Sequence, residues 1–92
     1  MPLSEPEITA ALKNLPGWAH SDKAIERTFK FPDFAAAMVF VNRIADAAEQ
    51  ANHHPDIAIH YNQVTLSLWS HDSGGVTKRD LKMAAAINAL QP

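Results

Sequence analysis

The chain has 92 residues, 47% hydrophobic and 20% charged, a composition that suits one small core and argues against disorder. Its formal charge of −2 lacks the basic surplus of a general nucleic-acid binder, and no stretch reaches the roughly 18 apolar residues of a membrane span. With no cysteine, disulfides, a thiolate nucleophile and thiolate-ligated zinc are all excluded.

The opening MPLSEPEI carries no signal-peptide pattern, so a cytoplasmic location is expected, with no membrane and no direct nucleic-acid contact. Neither a repeat nor a linker interrupts the chain, and residues 1–92 read as a single domain. Ser4-Glu5-Pro6-Glu7 has the form of a capping box, with Ser4 as N-cap and Glu7 reaching back. Ile8, Leu12 and Leu15 then share one face of a short helix that Pro16-Gly17 ends.

A short strand is expected around Trp18 to Ser21, pairing through a turn at Asp22-Lys23 with a strand from Ala24 to Phe31. In that second strand Ile25, Arg27, Phe29 and Phe31 point one way, with Arg27 the misfit on an apolar face. Asp33 suits the N-cap of the longest helix, roughly 34–51, whose stripe runs Phe34, Met38, Val41, Ala45 and Ala48, widened by Phe40 and Ile44. Pro55 blocks its continuation and pushes His54 toward an extended conformation.

Ile57, Ile59 and Tyr61 mark a third strand, Asn62-Gln63 a turn, and Val64, Leu66 and Leu68 the buried face of a fourth. After the Ser73-Gly74-Gly75 loop, Thr77 and Asp80 again form a capping box, opening a helix that carries Leu81, Ala84, Ala85, Ile87 and Leu90. The order helix, two strands, helix, two strands, helix predicts an α+β fold. Its core would be a four-stranded antiparallel sheet with helices on one face.

Four of the five histidines fall within EQANHHPDIAIHYNQVTLSLWSHD, residues 49–72. A turn at Asn62-Gln63 would set His60 against Thr65 and Asp56 against Trp69, and by extrapolation His54 against His71. Glu49 precedes His53 by four residues and would share its helix face, orienting the imidazole and holding a proton on it. A carboxylate at a helix C-terminus opposes the macrodipole, and such local misfits concentrate at functional sites. Taken singly, His20 and His60 read as surface residues, Trp18 and Trp69 as packing residues, and Asp80 as the partner of the Thr77 cap. Metal binding is disfavoured because the spacing matches neither H-E-x-x-H nor a zinc-finger pattern. Convergent imidazoles instead suit general acid/base work.

Glu49-x3-His53-His54-Pro55, then Tyr61, His71 and Asp80, resembles the signature of pterin-4a-carbinolamine dehydratases. Leu15-Pro16-Gly17-Trp18 is similar to that family's N-terminal Gly-Trp segment, and Asn52 departs from its pattern, which has aspartate there. The resemblance implies dehydration of a 4a-hydroxytetrahydropterin to the quinonoid dihydropterin, serving aromatic amino-acid hydroxylases, with no metal and no cofactor. It implies His53 and His71 as proton-transfer groups, His54 for substrate binding and orientation, and Glu49 as the group setting the charge of His53. Pro55, Tyr61, Trp18 and Asp80 would border the pterin, Asp80 either directly or by capping the helix behind His71. It further implies a homodimer or homotetramer. Two alternatives stay open. One is an interaction module using Asn42, Arg43, Asp46 and Gln50, since some animal relatives stabilise a homeodomain transcription factor through the equivalent helix. The other is a non-catalytic pterin or molybdopterin-related binder.

Overall fold

The computed structural model describes residues 1–91. Its elements are α1 (Glu5–Leu12), β1 (Ala19–Ser21), β2 (Ala24–Lys30), α2 (Phe34–Ala51), β3 (Asp56–His60), β4 (Gln63–Leu68) and α3 (Lys78–Leu90). The four strands form one antiparallel sheet in the order β1-β2-β4-β3, so the predicted architecture and element order hold.

Each helix starts where its side chains can satisfy the free amides of a first turn. Ser4 Oγ accepts from the Glu7 amide at 3.3 Å and Glu7 Oε1 accepts from the Ser4 amide at 2.8 Å, while Asp33 Oδ1 caps α2 through the Ala36 amide at 2.8 Å. A residue of this kind at the N-cap typically contributes about 1 kcal/mol.

The core lies between the sheet and the helices. Ile25 and Phe29 from β2 and Val64, Leu66 and Leu68 from β4 meet Ala37, Phe40, Ile44 and Ala48 from α2 and Met83, Ala84 and Ile87 from α3. Phe40 joins two aromatic neighbours, with ring centroids 4.7 Å from Phe29 and 5.0 Å from Phe31. The stripe of α2 is rotated from the expected one: Phe34 and Ala45 are exposed, Met38 and Val41 half-buried, and Ala37 lies at the centre. A small residue there lets the helix approach the sheet closely, so burial followed packing rather than hydrophobicity. Asn42, Arg43, Asp46 and Gln50 on the outward side are all exposed.

Arg27, the misfit of β2, has a physical reason. Its guanidinium lies over the Phe29 ring, 4.2 Å from the centroid, and donates to Pro16 O at 2.8 Å, Asn88 Oδ1 at 2.7 Å and Gln91 Oε1 at 3.0 Å. It ties the end of α3 to the segment after α1.

The β3–β4 hairpin differs from expectation by one residue. The turn is Tyr61-Asn62, with His60 paired to Gln63, so each β3 residue meets a partner two residues earlier on β4 than expected. Asn62 is held by the residue that follows β2: Phe31 N donates to Asn62 O at 2.9 Å and Asn62 Nδ2 to Phe31 O at 2.8 Å. Gln63 is thereby kept in the ladder opposite Lys30 and cannot serve as a turn residue. A slip of two preserves parity, which is why Val64, Leu66 and Leu68 were still read correctly as the buried face of β4, whereas Tyr61 leaves the β3 face for the turn. Among the described residues, no helix is long and apolar enough to cross a membrane.

Candidate active site

α2 ends in a pair of backbone bonds that determine where the histidines go. Asn52 adopts the left-handed conformation, φ 51°, its amide donating to Glu49 O at 3.3 Å while the His53 amide donates to Ala48 O at 3.1 Å. This is a Schellman ending, and asparagine is the residue after glycine best suited to it. The turn takes His53 out of helical phase, so the expected Glu49–His53 pairing does not form. Glu49 Oε2 is instead hydrogen-bonded to His54 Nε2, and both side chains are largely exposed.

His53 turns inward. Its Nε2 lies 2.5 Å from Oδ1 of Asp80, a residue with no exposed surface. The other Asp80 oxygen accepts from the Thr77 amide at 2.8 Å and from Ser70 Oγ at 2.9 Å, and Ser70 Oγ lies 2.7 Å from Thr77 Oγ1. Asp80 therefore caps α3 with one oxygen and holds an imidazole with the other. A carboxylate this buried needs such donors, because each unmet bond would cost about 1–3 kcal/mol. Among the described residues, no buried side-chain nitrogen or oxygen lacks a partner.

His71 arrives by a different route from the extrapolated ladder. Continuing the observed register sets His54 opposite Trp69, and the chain then folds into a short loop closed by a Ser70–Gly75 bridge. His71 leads that loop and stacks on Trp69, with centroids 3.8 Å apart and planes 26° off parallel. The result is still convergence. Asn52, His53, His54, Trp69, His71, Asp72 and Arg79 line one open concavity of about 310 Å³. A second concavity of about 440 Å³ between α2 and α3 shares His53 and Arg79 with it.

Pro55 follows His54 and immediately precedes β3. The two other expected pterin contacts lie elsewhere in this chain. Trp18 is buried in the core, its Nε1 donating to Asn88 Oδ1 at 2.8 Å and its ring edge-on to Phe29. Tyr61 occupies the turn at the opposite end of β3, 67% exposed. Reading the sequence overlooked Ser70 and Arg79. Ser70 had a signal: it continues the alternation of Val64, Leu66 and Leu68, so a polar residue falls due at a buried position. Arg79 had none, since its place at the rim depends on the fold; there it donates to Asp72 Oδ1 at 2.7 Å.

The model of the family described as pterin 4 alpha carbinolamine dehydratase matches residues 1–90. The chain belongs to this family. A Koribacter versatilis (strain Ellin345) protein with the provisional name pterin-4-alpha-carbinolamine dehydratase is 59% identical over 90 residues, covering 98% of this chain and 96% of its own. A Gloeobacter violaceus relative, provisionally named pterin-4-alpha-carbinolamine dehydratase 2, is 55% identical over 85 residues, covering 88% and 92%. The crystal structure of a transcriptional coactivator/pterin dehydratase from Brucella melitensis superposes with a TM-score of 0.95 at 41% identity, covering the whole of both chains. A pterin dehydratase-like RuBisCO assembly factor of the alpha-carboxysome shares the fold alone, with a TM-score of 0.66 at 20% identity.

Proposed function

We propose that this chain dehydrates a 4a-hydroxytetrahydropterin to the quinonoid dihydropterin by histidine acid/base catalysis. The observation that carries the reading is the His53–Asp80 pair opening onto a concavity shared with His54 and His71. A carboxylate accepting from Nε2–H fixes the tautomer, stabilises the protonated ring and leaves Nδ1 to exchange a proton with substrate.

The chemistry needs two proton transfers. One imidazole protonates the departing C4a hydroxyl as the N5 lone pair forms the C4a=N5 bond and the C–O bond breaks, releasing water. A second imidazole takes the N5 proton. Each such transfer is typically worth 10²–10⁴-fold. His53 and His71 are the groups proposed for these steps. His54, oriented by Glu49, is proposed to position the ring, with Pro55 beside it. The concavity falls within the roughly 300–1,000 Å³ of small-molecule sites. The product would return to tetrahydropterin by reduction in hydroxylase cofactor recycling, in the cytoplasm.

Stopped-flow mixing with 4a-hydroxytetrahydropterin tests the proposal. Turnover above buffer is expected, with His53→Ala and His71→Ala each slower in kcat and the double variant slower still. No acceleration by the wild type would overturn it; tight pterin binding without turnover would favour a binding protein.

A further inference from the structure

The concavity of about 440 Å³ between α2 and α3 is the larger of the two that His53 and Arg79 border. It is a groove between two helix faces. Arg79, Lys82, Met83 and Ala86 stand at i, i+3, i+4 and i+7 on α3, a stripe about 10 Å long. Ala47 and Ala51 border it from α2, and these small side chains leave the space open. Met83 is buried and forms the floor, whereas Gln50, Arg79 and Lys82 are exposed and form the rim.

Among the described residues, no carboxylate lines this groove, in a chain whose net charge is −2. Lys82 follows Lys78 by four residues and Arg79 by three, like-charge spacings that an isolated helix disfavours. Arg79 donates to Asp72, which lies outside the groove, and among the described residues Lys82 has no ion pair. A cationic misfit of this kind beside a candidate site is what a bound anion relieves.

The pterin's own bonding points to the occupant. C6 is bonded to N5, so the C6 substituent leaves the ring beside the proton that an imidazole removes. With N5 at the histidines, that substituent has a path past His53, which lines both spaces. The walls and floor offer methyl groups and a thioether, so a chain of hydroxyls buried there would lose water without new partners. An aromatic ring suits the alanine methyls and the Met83 sulfur, and a carboxylate beyond it suits Lys82 and Arg79. We propose that the groove takes the C6 substituent of the substrate, and that the substrate class is a pterin whose substituent carries an aryl group ending in a carboxylate. The reaction is unchanged: the C4a–O bond breaks, the hydroxyl leaves as water with one proton gained, and N5 gives up its proton. The inference rests on the site reading above.

Fluorescence titration with three 7,8-dihydropterins tests it. The 6-methyl compound has only a methyl to hold, dihydrobiopterin a dihydroxypropyl chain, and dihydropteroate an aminobenzoate. Dihydropteroate should bind at least about tenfold more tightly than the 6-methyl compound, and dihydrobiopterin should not match it. Lys82→Gln and Ala86→Leu change exposed helix positions to residues a helix tolerates, so both should fold, which circular dichroism checks. Each should cut the dihydropteroate advantage severalfold, the first by removing a cation and the second by filling the groove. A ratio that survives both variants in folded protein overturns the proposal, as does dihydrobiopterin binding more tightly than dihydropteroate. Wild type that binds all three alike keeps the pterin site and loses only the groove's role. Wild type that binds none removes the site reading and this inference with it.

Discussion

His53 Nε2 lies 2.5 Å from Oδ1 of Asp80, and these two residues link the C-terminal end of α2 to the first turn of α3. The pair ties a ring bordering open space to a carboxylate that has none. Asp80 is held from behind by Ser70 and by the Thr77 amide, so the imidazole's orientation depends on the cap of a helix and the end of a strand.

Asp80→Asn should lower kcat by about 10²-fold or more, because the neutral amide neither fixes the ring tautomer nor stabilises a protonated ring. KM should move little. The chain should stay folded by circular dichroism but lose about 1–3 kcal/mol in urea unfolding, since the amide cannot accept all the bonds the carboxylate does. An unchanged kcat in a folded variant would reduce Asp80 to a helix cap.

Asp80 also shows how much of the site was legible. Its capping role could be read from the spacing to Thr77, because capping is local. Its second role, toward His53, depends on how α2 and α3 pack and left no trace in a window of sequence. The Glu49–His53 pairing failed for a related reason: helical spacing predicts i,i+4 neighbours only while the helix continues, and Asn52 ends it one residue too early. The hairpin turn was misplaced because its fixing contact, Asn62 to Phe31, comes from the end of another strand's segment, just past β2. Strand faces and helix starts, being local and periodic, were read correctly.

Glu49→Gln should have a smaller effect than Asp80→Asn. The Glu49–His54 pair is exposed on both sides, where ion pairs contribute about 0–1 kcal/mol, so urea stability should hardly change. If His54 positions the ring, the variant should raise KM for the pterin with kcat nearly intact. A kcat loss matching that of Asp80→Asn would give Glu49 a share in proton transfer.

Gly17 precedes the buried Trp18 with φ 87°, and a Cβ there would stand 2.4 Å from Arg27 Nε. Gly17→Ala should therefore cost about 1–3 kcal/mol, from the left-handed backbone and from displacement of the guanidinium off Pro16 and Asn88. Arg27→Met removes the obstacle, so the double variant should lose less than the sum of the singles in urea unfolding. Strict additivity would show that backbone conformation alone sets the cost.

The Glu7 carboxyl is held below its ordinary value of 4.5 by hydrogen bonds from the Ser4 backbone and side chain. A lowered folded value means that the ionised form favours folding: the contribution is complete above 4.5 and disappears as pH falls through the folded value beneath it. The Tm difference between wild type and Glu7→Ala should be steady from neutral pH down to that point and shrink below it. A difference growing in acid would reverse the sign and remove the capping box as its source.

Trp69 supports His71 by stacking, and Lys23 Nζ sits 5.5 Å from the Trp69 ring centroid. Replacing the indole by leucine leaves an apolar residue at the position but removes the planar surface that limits the imidazole's rotation. An aromatic pair of this kind is worth about 0.5–1.5 kcal/mol, so His71 would spend more time away from the concavity. Trp69→Leu should consequently lower kcat by several-fold to about tenfold, with Trp69→Phe recovering most of it because a smaller ring still stacks. If leucine and phenylalanine variants were equally slow, the indole would act through contact with the pterin, and the defect would then appear in KM.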